Sequence, residues 1–299
     1  MSSLVAVNTN LQATRPRAYG RISLSSLTTL YVLTLRQYVH GKRWMVMGAL
    51  FVLPAALAIL LRATAPKIPG GGLEFLIVFM LIPQALLPLV ALVYASGMLQ
   101  DEQEEQTITY LLIRPIPKWA LYLVKLLATL TTTVMLTAFF TALTYAAIYV
   151  GNDAGGENIP LRCLKAMAIH GLSIVAYCCL FGLISVFTKR TLLAGIVYAV
   201  IIEGVLANLP FGIRLITVIY YARLIAYRSL NFVIEAPHGT ENIAADAWQL
   251  DLRRDPNLLN HPELGTCLVV LLAGSLVCAV LAAFLCSRKE FYVKTPEKN

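Results

Sequence analysis

One carboxylate lies inside a long apolar stretch of this sequence. Glu203 is the single charged residue of the 23-residue run Thr191–Ile213. A charged side chain in such surroundings is costly, so it has to face water, the interior of a bundle or a hydrogen-bonding partner. We consider three roles: a polar group on a pathway or dimer interface, a structural acid bonded to a neighbouring helix, or an acid left near the external face where Gly204–Pro210 bends back.

Hydroxyl side chains form a second pattern. Within Leu126–Val150, threonines recur every three or four residues and fall within an arc of about 120° on a helix. Such a stripe can line a substrate route, with Thr133, Thr137 and Thr141 at its centre. Small hydroxyl residues more often form a packing face, where they let helix backbones approach and share hydrogen bonds. The members of the stripe are Thr129, Thr133, Thr137, Thr141 and Thr144.

The densest group of charges is acidic and follows the apolar run Phe75–Leu99. The segment 100–118 begins with four carboxylates, Asp101, Glu102, Glu104 and Glu105. A hydroxyl residue, three apolar residues and a proline follow, namely Thr107, Ile108, Leu111, Leu112 and Pro115. The threonine can cap a short helix, the apolar residues share one face of it, and the proline ends it. The pattern predicts a short rigid element that can receive a push from a soluble partner and pass it to the two helices it joins.

The residue pattern does not support nucleotide binding or metal binding by this chain. The phosphate-binding sequence Gly-x-x-x-x-Gly-Lys-Ser/Thr is absent, since Gly41-Lys42 lacks both the upstream glycine and the hydroxyl residue. The six cysteines and four histidines show no metal-ligand spacing. Cys163 and Cys267 form a disulfide only if the fold brings them together. We therefore predict no catalytic residue, no metal site and no cofactor bound by this chain.

The elements that carry these residues follow from composition. Of the 299 residues, 58% are hydrophobic and 13% are charged, about half the charged fraction of a typical soluble protein. Such a chain cannot cover a water-facing surface, which excludes an ordinary soluble enzyme and a disordered protein. The net charge of +8 arises in residues 1–73, which hold eight Lys/Arg and no acid. This placement indicates membrane topology rather than nucleic-acid binding.

Six apolar runs approach or exceed the ~20 residues that a helix needs to cross a bilayer. They are Trp44–Leu61, Phe75–Leu99, Leu126–Val150, Ala166–Thr188, Thr191–Ile213 and Gly265–Ser287. We predict an all-α integral membrane protein with six transmembrane helices in a domain over residues 24–287. Lys and Arg predominate (15 of 24) on the side that holds both termini. By the positive-inside rule, both termini of this multi-pass cell-membrane protein are expected in the cytoplasm.

The remaining segments have distinct expected roles. Residues 1–23, rich in Ser, Thr, Asn and Arg, predict a disordered cytoplasmic tail, although an acid-free start also resembles a transit peptide. Residues 214–264 are the predicted external segment, and 288–299 a second cytoplasmic tail. Residues 24–43 predict an amphipathic helix along the cytoplasmic surface, because apolar and aromatic side chains recur there at helical spacing. These side chains are Leu27, Leu30, Tyr31, Leu35 and Tyr38.

The acidic segment resembles one in the membrane subunits of type-2 ATP-binding-cassette (ABC) exporters. The resemblance lies in Glu105-x-Thr107-Ile108-x-x-Leu111-Leu112-x-x-Pro115-Ile116-x-Lys118, followed by Lys125. A surface helix, six spans and a long external segment before the last span also look similar. In that family an ATPase docks on the short cytoplasmic helix after the second span. The resemblance thus implies that Asp101, Glu102 and the motif residues through Lys118 couple this chain to an ATPase.

The resemblance implies a permease subunit of an ATP-driven exporter, with ATP and Mg²⁺ bound by a separate ABC ATPase present in two copies. It also implies a second permease, identical or a sister chain, because six helices form half of the family's usual pathway. Two other classes stay open. One is a membrane-embedded enzyme or assembly factor that uses Glu203 and the external segment. The other is an ion-coupled secondary transporter, which the few intramembrane charges disfavour.

Overall fold

The computed structural model describes the helical domain and part of the long segment before the last helix. The described residues are 24–65, 68–104, 117–150, 158–188, 190–209, 212–230, 232–236, 239–248 and 262–288. The predicted tail 1–23 lies outside these residues, as does the predicted tail after Arg288.

Six helices in this part of the chain are long and apolar enough to cross a membrane, which confirms the predicted all-α, six-span fold. From the first span to the sixth, they are Lys42–Thr64, Gly70–Met98, Lys118–Tyr149, Ile159–Phe187, Thr191–Asn208 and Leu264–Arg288. The fifth span ends at Asn208 rather than at the predicted Ile213. It ends there because the helix tightens into a 3₁₀ turn over Leu206–Asn208 and the backbone becomes extended at Leu209.

Two spans change their helical geometry along their length. The second span passes from a short α-helix (Gly70–Glu74) through a π-helix (Phe75–Leu86) into an α-helix (Leu87–Glu104). Pro83 lies in the π-helix, where its missing N–H removes one hydrogen bond of the regular α-helical pattern. The fifth span passes from Thr191–Val197 (α) to Tyr198–Val205 (π). π-Helical turns are frequent at functional positions, and both of these contain residues of the polar cluster described below.

A helix over Leu24–His40, here called the leading helix, precedes the first span. The Tyr31 hydroxyl donates to Thr131 Oγ1 of the third span at 3.0 Å. The side chains predicted to share one face are all buried or half-buried, whereas Val32 and Leu33 are exposed. The leading helix therefore packs through the expected face, and its position along the membrane surface stays a prediction.

The predicted external segment contains several ordered elements. They are a 3₁₀ turn (Gly212–Ile216), a helix here called the loop helix (Val218–Ser229), strands β1 (Val233–Ala236) and β2 (Gly239–Asn242), and a short helix (Ile243–Ala247). The strands pair antiparallel, with Val233 opposite Asn242. This small hairpin is an addition to the predicted all-α architecture.

Aromatic packing fastens this segment to the bundle. The Trp248 ring lies 5.0 Å from that of Phe75, and the Phe232 ring 5.0 Å from that of Phe79. Trp248 Nε1 also donates to Met80 Sδ at 3.0 Å. The segment therefore rests on the first half of the second span, at the end of the bundle that we call the loop end. The opposite end, next to Met98 and the helical backbone of residues 101–104, is called the acidic end.

The second, third and fourth spans form the core of the bundle. Tyr94, Leu136 and Tyr177, one from each of these spans, are almost fully buried. The first, fifth and sixth spans expose most of their apolar side chains. Exposed apolar helix faces in a membrane protein contact lipid or another subunit.

Candidate functional site

The predicted coupling segment begins as a direct continuation of the second span. One α-helix runs from Leu87 to Glu104, so the backbone at Asp101 and Glu102 is helical. A continuous helix moves as a rigid rod because each turn is hydrogen-bonded to the next. Lys118 is the first residue of the third span. The other predicted coupling residues lie outside the described residues, namely Glu105, Thr107, Ile108, Leu111, Leu112 and Pro115.

The second and third spans are joined near the acidic end by Lys125. Its Nζ donates a 3.1 Å hydrogen bond to the Met98 carbonyl oxygen, and the side chain is buried. A buried ammonium needs such acceptors because its desolvation is costly. The fourth span approaches at the same level, since a Cβ atom on Gly182 would lie 2.7 Å from the Tyr122 hydroxyl. The second, third and fourth spans are therefore tightly packed near the acidic end.

Glu203 caps the loop helix. Its Oε1 accepts the Val218 N–H at 2.9 Å and the Tyr198 hydroxyl at 3.0 Å, and its Oε2 accepts the Ile219 N–H at 3.0 Å. The first N–H groups of a helix have no partner within it, and the positive end of the helix dipole favours a carboxylate. The chain thus turns back after Asn208, and the loop helix starts beside the fully buried Glu203. The structure shows a hydrogen-bonded acid and a bend in the chain, whereas a position of Glu203 on a pathway, at a dimer interface or near the external face stays a prediction.

A buried arginine on the loop helix extends this polar cluster. Arg223 is 6% exposed. Its Nη1 donates to Asn208 Oδ1 at 2.9 Å and its Nη2 to Gln84 Oε1 at 3.3 Å. Both acceptors are neutral amides, whereas the oxygens of Glu203 accept from other donors. The guanidinium is therefore fixed in place by two hydrogen bonds.

The threonine stripe of the third span faces the interior of the protein. All five members are fully buried, and Thr129, Thr133, Thr137 and Thr144 donate to the carbonyl four residues earlier in their own helix. Thr141 Oγ1 lies 3.1 Å from Nδ1 of His170 in the fourth span. These contacts are those of a packing face with satisfied hydroxyls. Their partners differ from those of Glu203, and a pathway role for Thr133, Thr137 and Thr141 stays a prediction.

A buried ionic network at the loop end was missed by the sequence analysis. The Glu74 carboxylate accepts the Tyr145 hydroxyl at 2.8 Å, the Tyr149 hydroxyl, and Arg162 Nε at 3.1 Å to each oxygen. These residues come from the second, third and fourth spans, so the network fastens three helices together. The signal that was present is Glu74 itself, an acid at the start of an uncharged run of 25 residues.

The two cysteines considered for a disulfide carry free thiols. Cys163 Sγ contacts Met167 Sδ at 3.7 Å, within its own helix. Cys267 is buried at the start of the sixth span, where its Sγ lies 3.7 Å from the Pro262 carbonyl oxygen. Both thiols therefore pack as small apolar groups.

The fold and these contacts define a multi-pass membrane protein of six helices with an acidic extension on its second span. A family model described as "ABC-2 family transporter protein" matches residues 41–205. The match covers more than half of the 299 residues, and the chain belongs to this family. It is a permease subunit of an ABC transporter, a transport subunit that is not itself catalytic. No curated protein matches the chain.

The capping contact makes a direct prediction for Glu203. Glu203→Gln should lower the free energy of unfolding by about 1–2 kcal/mol, in the range found for lost helix caps. The amide keeps one acceptor oxygen, but it presents an NH₂ group to the second backbone N–H and loses the charge that the helix dipole favours. The measurement is thermal unfolding of the purified protein in detergent. Glu263→Gln, which changes an exposed acid next to the sixth span, is the matched control. Equal midpoints for the two variants would contradict the capping role.

Proposed function

We propose that this chain is the permease of an ATP-driven exporter in which a separate ABC ATPase docks on the segment 100–118. The observation that carries the proposal is the family match, which covers the first four spans, most of the fifth and the whole acidic segment. The ATPase binds ATP and Mg²⁺, and two copies act on two permease chains. The protein lies in the cell membrane with both termini in the cytoplasm, which is the side of the acidic segment.

The architecture supports this mode of coupling. The carboxylates Asp101 and Glu102 lie on the same continuous helix as the second half of the second span. Lys125 joins that helix to the third span near the acidic end, and Glu74 joins the same two spans at the loop end through Tyr145. When the ATPases close on ATP, the second and third spans should therefore move together and open a pathway between the two permease chains.

The contacts of Glu203 weigh against the two other classes. A general base or a proton carrier needs a carboxylate oxygen that is accessible to its substrate or to water. Both oxygens of Glu203 instead accept hydrogen bonds from Tyr198 and from the first turn of the loop helix. This geometry favours a structural role over a reacting one.

ATPase recruitment tests the proposal. The full-length chain, co-expressed with its cognate ABC ATPase and purified in detergent, should retain that ATPase in a pull-down. Neutralising the acidic segment in a triple variant (Asp101→Asn, Glu102→Gln, Glu105→Gln) should weaken this binding by about tenfold or more, because complementary charges direct such interfaces.

The matched control neutralises three acids of the loop segment (Asp246→Asn, Asp251→Asn, Glu263→Gln) and should bind the ATPase as the unmodified chain does. Failure of the unmodified chain to retain any ATPase contradicts the proposed function. Full retention by the triple variant contradicts the docking site and leaves the class of protein intact.

A further inference from the structure

The second span changes its backbone hydrogen bonding near its middle. It is π-helical over Phe75–Leu86, and a regular α-helix follows over Leu87–Glu104. In a π-helix, each N–H bonds to the carbonyl oxygen five residues earlier. Pro83 has no N–H, so the Val78 carbonyl oxygen loses that partner within the helix. The span is therefore short of one backbone hydrogen bond just before its α-helical half begins.

The first part of the span is anchored at the loop end. Glu74 accepts hydrogen bonds from the third and fourth spans. The rings of Phe75 and Phe79 lie 5.0 Å from those of Trp248 and Phe232, respectively, in the segment before the last span. A movement of this part would break a buried ion pair and an aromatic cluster, so the loop end of the second span is its fixed side.

A groove borders the π-helix on one side. It has a volume of about 350 Å³ and separates the second span from Leu57 of the first. Six of the seven described residues that line it belong to the π-helix, between Leu76 and Ala85. A helix that is closely packed on all sides bends only if its neighbours repack, because protein interiors are as dense as organic crystals. The groove gives the π-helix one side without such packing.

The α-helical half of the span moves as one body. Its hydrogen bonding is regular from Leu87 to Glu104. Lys125 of the third span is bonded to the carbonyl oxygen of Met98 in this half. The third span is itself a single α-helix over Lys118–Tyr149. The third span therefore tilts as a whole where the second span bends.

We propose that the second span contains a hinge at Pro83, where its α-helical half bends toward the first span while its loop end stays fixed. The part this hinge plays in ATP-driven movement rests on the proposed function, because the ATPase acts on the segment that follows this half. Kinks at prolines and π-helical turns exceed about 20°. Gln100 lies about 25 Å beyond Pro83 along the helix, so such a bend displaces it by about 9 Å.

Distances between two spin labels test the hinge in the purified full-length chain in phosphatidylcholine nanodiscs, without an ATPase. The labels are attached through a genetically encoded residue, which leaves the native cysteines in place. One label replaces the exposed Leu161 at the loop end. The other replaces either Gln100 or Gly71, where an added Cβ atom meets no described atom within 4 Å. Distances to position 100 should spread over about 9 Å, whereas those to position 71 should be narrow.

Pro83→Ala restores the missing N–H and should narrow the spread at position 100 by about twofold or more. Pro54→Ala, which removes the proline inside the α-helix of the first span, is the matched control and should leave the spread unchanged. An undiminished spread in Pro83→Ala overturns the hinge. Ala85→Leu fills the groove from an exposed position and should also narrow the spread. If Pro83→Ala does not fold, an unchanged spread in Ala85→Leu overturns the proposal.

The cognate ATPase, trapped with ATP and vanadate on the labelled chain, gives the second arm of the test. The mean distance from Leu161 to position 100 should shift by about 5 Å or more, and the distance to position 71 should stay the same. A complex that retains its ATPase but shows no shift, or equal shifts at both positions, overturns the hinge and leaves the proposed function standing. If the unmodified chain retains no ATPase, the proposed function fails, and the spread in the isolated chain still decides the hinge.

Discussion

Replacing Arg162 by methionine should destabilise the protein by about 3–5 kcal/mol, the cost of removing one partner from a buried ion pair. Arg162 Nε lies 3.1 Å from both oxygens of Glu74, and Glu74 has no exposed surface. Methionine keeps the unbranched stem of arginine as far as the Nε position, so most of the loss reports the carboxylate left without its counter-charge.

The expected effect is large because both oxygens of the Glu74 carboxylate accept hydrogen bonds in the native network. Tyr145 and Tyr149 donate to the same carboxylate, and Arg162 also lies 5.8 Å over the ring of Phe232. Two hydroxyls cannot replace a cation, so the variant leaves a buried carboxylate without a counter-charge.

The free energy of unfolding in detergent micelles, measured by steric trapping, gives the result. Arg228→Met removes an exposed arginine and should change stability by less than about 0.5 kcal/mol. The double variant Glu74→Gln, Arg162→Met should lose less than the sum of its single variants, because no unpaired charge is left buried. Additive losses would mean that Glu74 and Arg162 do not act as a pair.

This network also shows why the sequence predicts one level of structure well and another poorly. Hydropathy identified the six spans because crossing a bilayer depends on length and apolar content, which are local properties. The partners of Glu74 lie 71, 75 and 88 residues away along the chain, so no spacing rule connects them. Long-range contacts of this kind appear only when the helices are packed.

The residues of the candidate site also fall into two groups, those that the sequence predicts and those that only the fold reveals. The acids of segment 100–118 are visible in the sequence because they interrupt a hydrophobic pattern. Arg223 was not singled out, since it lies in a polar segment where an arginine is unremarkable. Its importance comes from burial against Asn208 and Gln84, which depends on the chain turning back after the fifth span.

The second large effect is expected where the second and fifth spans meet. A Cβ atom on Gly195 would lie 2.1 Å from Cδ1 of Leu92, far inside van der Waals contact. Leu92 is almost fully buried, so it cannot swing into free space. Gly195→Ala should therefore lower the free energy of unfolding by about 1–3 kcal/mol, the range seen when a packed core is overfilled. Alanine is the better helix former, so local propensity predicts the opposite sign.

The Leu92 contact can be separated from any backbone effect by a second substitution. If overlap with Leu92 is the cause, Leu92→Ala should cost less in the Gly195→Ala background than in the unmodified chain, because the shorter side chain removes the clash. Gly274→Ala in the sixth span is the matched control, since among the described residues no atom outside its own helix lies within 4 Å of the added methyl group. The stability of this variant should stay the same or rise. Equal costs of Leu92→Ala in both backgrounds would contradict the close contact. A confirmed contact would identify a point at which the helix that carries the acidic segment bears directly on the span that holds Glu203.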